Sequence, residues 1–148
     1  MIVLDASVLA KCFVLEEGSH EALHLLRQNT KILAPGLSRI EVAAAICRHA
    51  RQGKIPADEA KAKCREWFDF LNTDTIELMP DNELLEPAIH LSVTLKHPLQ
   101  DCLYLEVMRR SNGQLVTADR KFHRRVSPMY VDVQLLPGLS AGNGHEAA

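Results

Sequence analysis

The stretch MIVLDASVLA (Met1–Ala10) decides how the rest of the chain is read. Met1–Leu4 is an unbroken apolar run stopped by Asp5, as expected of a short strand buried on both faces. The pattern then repeats with helices between the strands. Ala6–Leu15 and Ser19–Gln28 read as helices parted at Glu16–Gly18, and Lys31–Ala34 as a second strand closed by Pro35-Gly36. Ser38–Gly53 is helical, with Ile40, Ala43, Ala44 and Cys47 expected on its buried face. Pro56–Asn72 follows, with Ala60, Cys64, Trp67, Phe68 and Leu71 at helical spacing. Thr75–Met79 is a third strand. Asn82–Lys96 and Pro98–Ser111 are helices broken at His97-Pro98. Gln114–Ala118 is a fourth strand, Arg120–Val126 a short helix and Tyr130–Leu135 a last strand.

Short strands joined through helices demand parallel crossovers. The expected fold is therefore a three-layer α/β/α sandwich whose central parallel sheet has about five strands. Residues 1–136 are expected to form one domain, and 137–148 a flexible, Gly-containing tail. The length, 148 residues, suits one domain, and 47% apolar residues suffice for a core. No apolar run reaches membrane-spanning length. The N-terminus lacks a basic leader, and Asp5 and Lys11 interrupt its apolar stretch, so a secretory signal is not expected and the cytoplasm is the expected compartment.

Cys12, Cys47, Cys64 and Cys102 are scattered without a C-x-x-C pair, and reduced, mostly buried thiols are expected. The seven histidines are read as forming no H-x-x-x-H or H-x-H pattern, so a histidine-rich metal site is not expected. A net charge of −2 excludes binding to nucleic acid by bulk electrostatics. Seven aromatic residues are too few for the stacking platforms of single-strand binders. Any nucleic-acid contact must be local or carried by a metal.

Four acids stand where such a contact is expected. In open parallel sheets, ligands bind outside the carboxyl ends of the strands. Asp5 directly follows the first strand and Asp119 the fourth. Glu41 and Asp101 lie in first helical turns, although the Asp101 helix follows another helix. Each has a plain alternative. Asp5 and Asp119 suit N-caps, Glu41 suits a capping box with Ser38, and Asp101 suits a helix start with Pro98 at its first position. Gathered in one crevice, however, two such charges about 4 Å apart repel by about 4 kcal/mol at an effective dielectric of 20. Protons or a cation must then neutralise them. Hard oxygen ligands without His or Cys suit Mg2+ or Mn2+, ions that activate water and clamp phosphate oxygens.

At these residues the sequence closely resembles the PIN-domain nucleases, particularly the ribonuclease toxins of VapC-type toxin–antitoxin pairs. IVLDASVLAK resembles the family's opening strand, with its motif at Asp5 and Ser7. SRIEVAAAI resembles the second motif around Glu41, HPLQDCLYLEVM the third around Asp101, and LVTADRKF the fourth at Thr117 and Asp119. The motifs occur in family order over about residues 1–135. The resemblance implies a Mg2+- or Mn2+-dependent endoribonuclease that leaves a 5′-phosphate and a 3′-hydroxyl. It also implies a homodimer and inhibition by a small antitoxin protein. It makes Asp5, Glu41, Asp101 and Asp119 the catalytic, metal-holding residues, with Ser7 and Thr117 orienting them. Some members carry a further acid two residues after the last motif's Asp; Lys121 stands there in this chain, which argues against tight binding of a second ion.

Arg120, Lys121, Arg124 and Arg125 form the densest basic patch, beside Asp119, and are the expected contacts to RNA phosphates. Lys11 and Arg39 are weaker candidates. Trp67 and Phe68 are expected in the core, and Phe70 against a partner. His97 is read as a helix-boundary residue. A haloacid-dehalogenase-type phosphatase would need a second Asp where Ser7 stands, and a receiver domain an acidic doublet that is missing. The remaining alternative is a catalytically silent PIN-like module that binds RNA or protein.

Overall fold

The computed structural model describes residues 1–29 and 31–139. Most of the expected tail, residues 140–148, lies outside the described residues. Among the described residues, five strands and seven helices occur in the expected order. They are β1 (Ile2–Leu4), α1 (Ala6–Lys11), α2 (Ser19–Gln28), β2 (Ile32–Pro35), α3 (Ser38–Arg51), α4 (Ala57–Leu71), β3 (Ile76–Met79), α5 (Asp81–Leu95), α6 (Leu99–Ser111), β4 (Gln114–Thr117), α7 (Arg120–Val126) and β5 (Val133–Leu135). The sheet is parallel throughout, in the order β3-β2-β1-β4-β5. Strand β1 is central and its three residues are buried, which explains why MIVL carries no polar residue.

The chain winds outward from β1 through β2 to β3, then returns to place β4 on the other side of β1. The direction of winding thus reverses between β1 and β4, where an α/β sheet opens a crevice at its carboxyl edge. Helix α6 packs on β1, β2 and β4 and is backed by α5, whereas α1 packs on β1 and β4 and supports α2 and α3. Pro87 sits inside α5 and cannot donate a hydrogen bond to the carbonyl of Glu83. The Arg110 guanidinium supplies a donor to that carbonyl instead, at 2.6 Å. Arg110 and Arg109 also hold the buried carboxylate of Glu106 at 3.1 and 2.9 Å. A break in α5 is thereby converted into a tie between α5 and α6.

Several local expectations are corrected. Helix α1 stops at Lys11 rather than Leu15, because Phe13 and Val14 turn into the core and the Lys11 ammonium reaches Glu16 and the Glu17 carbonyl. Gly18 then starts α2 at φ +88°, where a Cβ would meet the Leu136 and Leu139 side chains at 3.0 and 3.1 Å. Helix α3 is rotated from its expected orientation. Val42 and Ile46 are buried, whereas Ile40 is 70% exposed and Ala44 and Cys47 face outward. The Ser38–Glu41 capping box does not form. Leu37 is the cap residue, its N–H donates to Asp81 Oδ1 at 2.9 Å, and the buried Ser38 Oγ has no partner.

On α4, Trp67 is fully buried and donates from its indole to the Arg39 carbonyl at 3.1 Å. Phe68 is 47% exposed and is not a core residue. Phe70 is the one that turns inward, packing with Phe13 and Trp67. The buried stripe runs through Ala60, Trp67 and Phe70, and Phe68 lies one step off it. All four cysteines are free thiols, but only Cys102 is buried and Cys47 is exposed.

Candidate active site

Asp5 is placed by the end of β1. Its N–H donates to the Val116 carbonyl at 3.2 Å, continuing the β1–β4 pairing past the strand. Its side chain caps α1, accepting from the Val8 N–H at 3.2 Å and from the Ser7 hydroxyl. Ser7 Oγ in turn accepts the Ala118 N–H at 2.9 Å, linking the β1 rim to the turn after β4. Thr117 is buried. Its hydroxyl accepts the Asp119 N–H at 3.0 Å, and its side chain also hydrogen-bonds Asp5. Asp119 caps α7 by accepting from the N–H groups of Lys121 and Phe122 at 2.9 and 3.1 Å. The capping readings of Asp5 and Asp119 are thus geometrically correct, and both side chains still line the cleft at the rim.

That cleft, of about 470 Å³, is lined by Asp5, Glu41, Asp101 and Asp119 together with Ser7 and Tyr104. Asp101 reaches it from the first turn of α6, with Pro98 as cap residue rather than first helical residue. Glu41 reaches it because α3 turns a stripe of Glu41, Ala45, Arg48 and His49 toward the opening. This stripe adjoins the buried row of Val42 and Ile46. The rotation that exposes Ile40 is the same one that brings Glu41 inward.

Among the described residues, no cation figures in the influences that shift Asp5, Glu41 and Asp101. Burial pushes Asp5 up to about 7, opposed by hydrogen bonds from Ser7, Thr117 and Val8 and reinforced by the charge of Asp101. Burial also raises Asp101 to about 7, with the charges of Asp119 and Glu41 adding to it. Glu41 is raised by burial, partly offset by the Tyr104 hydroxyl, which donates to it at 2.8 Å. Asp101 is thus the acid within electrostatic reach of the other three. Carboxylates this reluctant to ionise have too little positive charge around them.

Two contributors were not assigned to the site from the sequence. His97 is buried, its Nε2 lies 2.7 Å from Asp101 Oδ2, and its ring stacks on Phe122 at 5.0 Å. It is therefore a partner of an acid as well as a helix boundary. Burial lowers its pKa, an effect opposed by the charge of Asp119. The i,i+4 spacing of His97 and Asp101 was the available signal, obscured by the intervening Pro98. Tyr104, three residues after Asp101, was the other.

Among the described residues, no three carboxylate, imidazole or thiolate groups are drawn together closely enough to enclose one metal ion. Asp5 is engaged with Ser7 and Val8, and Asp101 with His97. The donor chemistry nevertheless fits a hard divalent cation, since four carboxylates face one cleft and two of them resist ionisation without a counter-charge. The expectation that the histidines form no H-x-x-x-H pattern is corrected by a separate run, His20-Glu21-Ala22-Leu23-His24, which has the H-E-x-x-H spacing of zinc peptidases. Both histidines are exposed on α2, outside the cleft and without a third ligand among the described residues.

Of the predicted basic contacts, Arg120 lines the cleft itself. Lys121, Arg124 and Arg125 line a second depression of about 340 Å³. Lys11 also lines the main cleft, whereas Arg39 does not.

A parallel sheet opening an acidic crevice between its first and fourth strands is the arrangement of the PIN domain, whose family model matches residues 2–127. The chain belongs to that family. It is also 30% identical to Ribonuclease VapC3 of Pyrobaculum aerophilum over 131 residues, covering 86% of this chain and 98% of that protein.

Proposed function

We propose that this chain is a divalent-metal-dependent endoribonuclease acting as the toxin of a toxin–antitoxin pair. Membership of the PIN family and similarity to a ribonuclease that spans nearly the same length support this reading. The observation that carries it is the convergence of Asp5, Glu41, Asp101 and Asp119 on one cleft, with Asp5 and Asp101 raised to about 7. In this reading those four acids hold Mg2+ or Mn2+. Held there, such an ion would supply acidification of a water and withdrawal of charge from a phosphate oxygen.

The chain's own groups do the positioning. Ser7 and Thr117 fix Asp5 by hydrogen bonds, and Thr117 also holds the backbone at Asp119. Tyr104 fixes Glu41, and His97 fixes Asp101. Arg120 at the cleft, with Lys121, Arg124 and Arg125 beside it, holds RNA phosphates as they approach the acids.

The same proposal includes a homodimer, a small antitoxin protein and a cytoplasmic place of action. An exposed apolar row on α5, Leu85, Ile89 and Val93, supports a protein contact on that face. No helix among the described residues is long and apolar enough to cross a membrane.

The test is cleavage of total RNA by antitoxin-free protein with Mn2+ or Mg2+, with chelator, and by Asp5→Ala. Discrete fragments that vanish with chelator and with the substitution are expected. A folded wild-type protein that neither cuts RNA nor binds Mn2+ would favour the silent binding module, whereas Mn2+ binding without cleavage would point to a narrow substrate.

A further inference from the structure

The cleft holds a fifth carboxylate that the proposed chemistry does not use. Glu16 lies in the break between α1 and α2 and lines the same opening as the four acids. It is gripped by two basic side chains from different elements. Lys11 Nζ of α1 donates to Glu16 Oε1 at 3.0 Å, and His49 Nε2 of α3 lies 2.9 Å from Glu16 Oε2. Lys11 and His49 are largely buried side chains, and Glu16 is only partly so. Arg48 lines the cleft beside His49. This corner is therefore built to receive an anion with two oxygens, and in the free protein the anion is the chain's own.

We infer that Lys11, Arg48 and His49 form a seat for an RNA backbone phosphate flanking the one that is cut, which Glu16 occupies until substrate displaces it. This rests on the ribonuclease reading for the identity of the ligand, but the seat rests on the geometry of the corner. A carboxylate in a crevice with four others repels a polyanion, and its ion pairs stay in place only while nothing better charged competes. A phosphate brings more negative charge and the same oxygen acceptors, and it makes charge-assisted bonds with the same donors. Glu16 can leave because it sits in a turn between helices and is partly exposed, whereas Lys11 and His49 are held by α1 and α3. The seat adds cations from α1 and α3 to those of α7, so the acids lie between cationic walls supplied by separate elements.

The test measures binding apart from cutting. In an Asp5→Ala background with Mg2+, a fluorescent single-stranded oligoribonucleotide of about 12 nucleotides is titrated and followed by anisotropy. Glu16→Ala and the isosteric Glu16→Gln should each tighten binding about three- to fivefold. The log-log salt slope should steepen by about 0.7, the value of one added phosphate contact. Adding Lys11→Ala to Glu16→Ala should abolish the gain. Folded Glu16→Ala and Glu16→Gln proteins that bind no more tightly than their parent would overturn the seat. Failure of the wild-type protein to cut RNA, with the Glu16 gain still present, would remove the nuclease reading and leave the seat standing.

Discussion

Asp5 and Glu106 are both buried carboxylates, 4% and 6% exposed, and the molecule treats them in opposite ways. Glu106 lies mid-helix on α6 and is clasped by Arg109 and Arg110, one of which also serves the carbonyl freed by Pro87. Asp5 lies at the end of β1, and the donors that reach it are a hydroxyl pair and a backbone N–H, all neutral. The charge that acts on it is that of another acid, Asp101. A buried charge that serves the fold is given its counter-charge within the chain. One that serves chemistry is left short of it, so that a ligand must supply the rest.

The comparison breaks most visibly in activity. Asp5→Asn should lower RNA cleavage by about a thousandfold or more, the scale of removing a group at the reacting centre. Its melting temperature should be unchanged or higher, because an uncompensated buried carboxylate has been removed. Glu106→Ala should do the reverse. It removes the carboxylate that Arg109 and Arg110 share, leaving Arg110 with the Glu83 carbonyl, and should cost roughly 1–3 kcal/mol in denaturant unfolding. Cleavage per folded molecule should be retained. Equal loss of activity in both variants would erase the distinction.

A smaller effect sharpens it in pH. Asp5 and Asp101 are raised from 3.8 to about 7 in the folded protein, so across that interval the folded state binds more protons than the unfolded state. Their contribution to stability is therefore present at low pH and is lost as pH rises through 7. In chelator, the melting temperature should fall between about pH 5 and pH 8. Mn2+ at the upper end should restore it. Asp5→Asn should flatten the fall, and Glu106→Gln should leave it in place. The smallest expected change is for Ser7→Ala, which removes one neutral donor to Asp5 and should cost about tenfold or less in cleavage rate.

Much of this was legible in the sequence, for reasons that also explain what was not. Asp5 and Asp119 could be placed because each directly follows an apolar run, and a parallel sheet sends all strand ends to one rim. Asp101 could not be secured by that argument, since α6 follows α5 rather than a strand. It reaches the cleft because α6 packs across β1, β2 and β4. The orientation of α3 was misread because Ile40 looks like a core residue, whereas small residues at Ala43 and Ala45 let the helix pack closely with Val42 and Ile46 inward. Phe68 was misplaced by the same reasoning from size. The places of His97 and Glu16 at the cleft were hidden for a different reason. One lies across a helix break from the acid it holds, and the other is brought to the cleft by a turn whose path no local pattern encodes.

The central claim is that the four acids are incomplete without a divalent cation. Calorimetric titration of Mn2+ into the wild-type protein and into Asp101→Asn, at about pH 7.5 where release of protons accompanies binding, tests it most directly. Asp101 is the acid whose charge reaches the other three. Binding by the wild-type protein that is lost or greatly weakened in folded Asp101→Asn is the predicted result. No binding by the wild-type protein, or equal binding by both, would contradict the account.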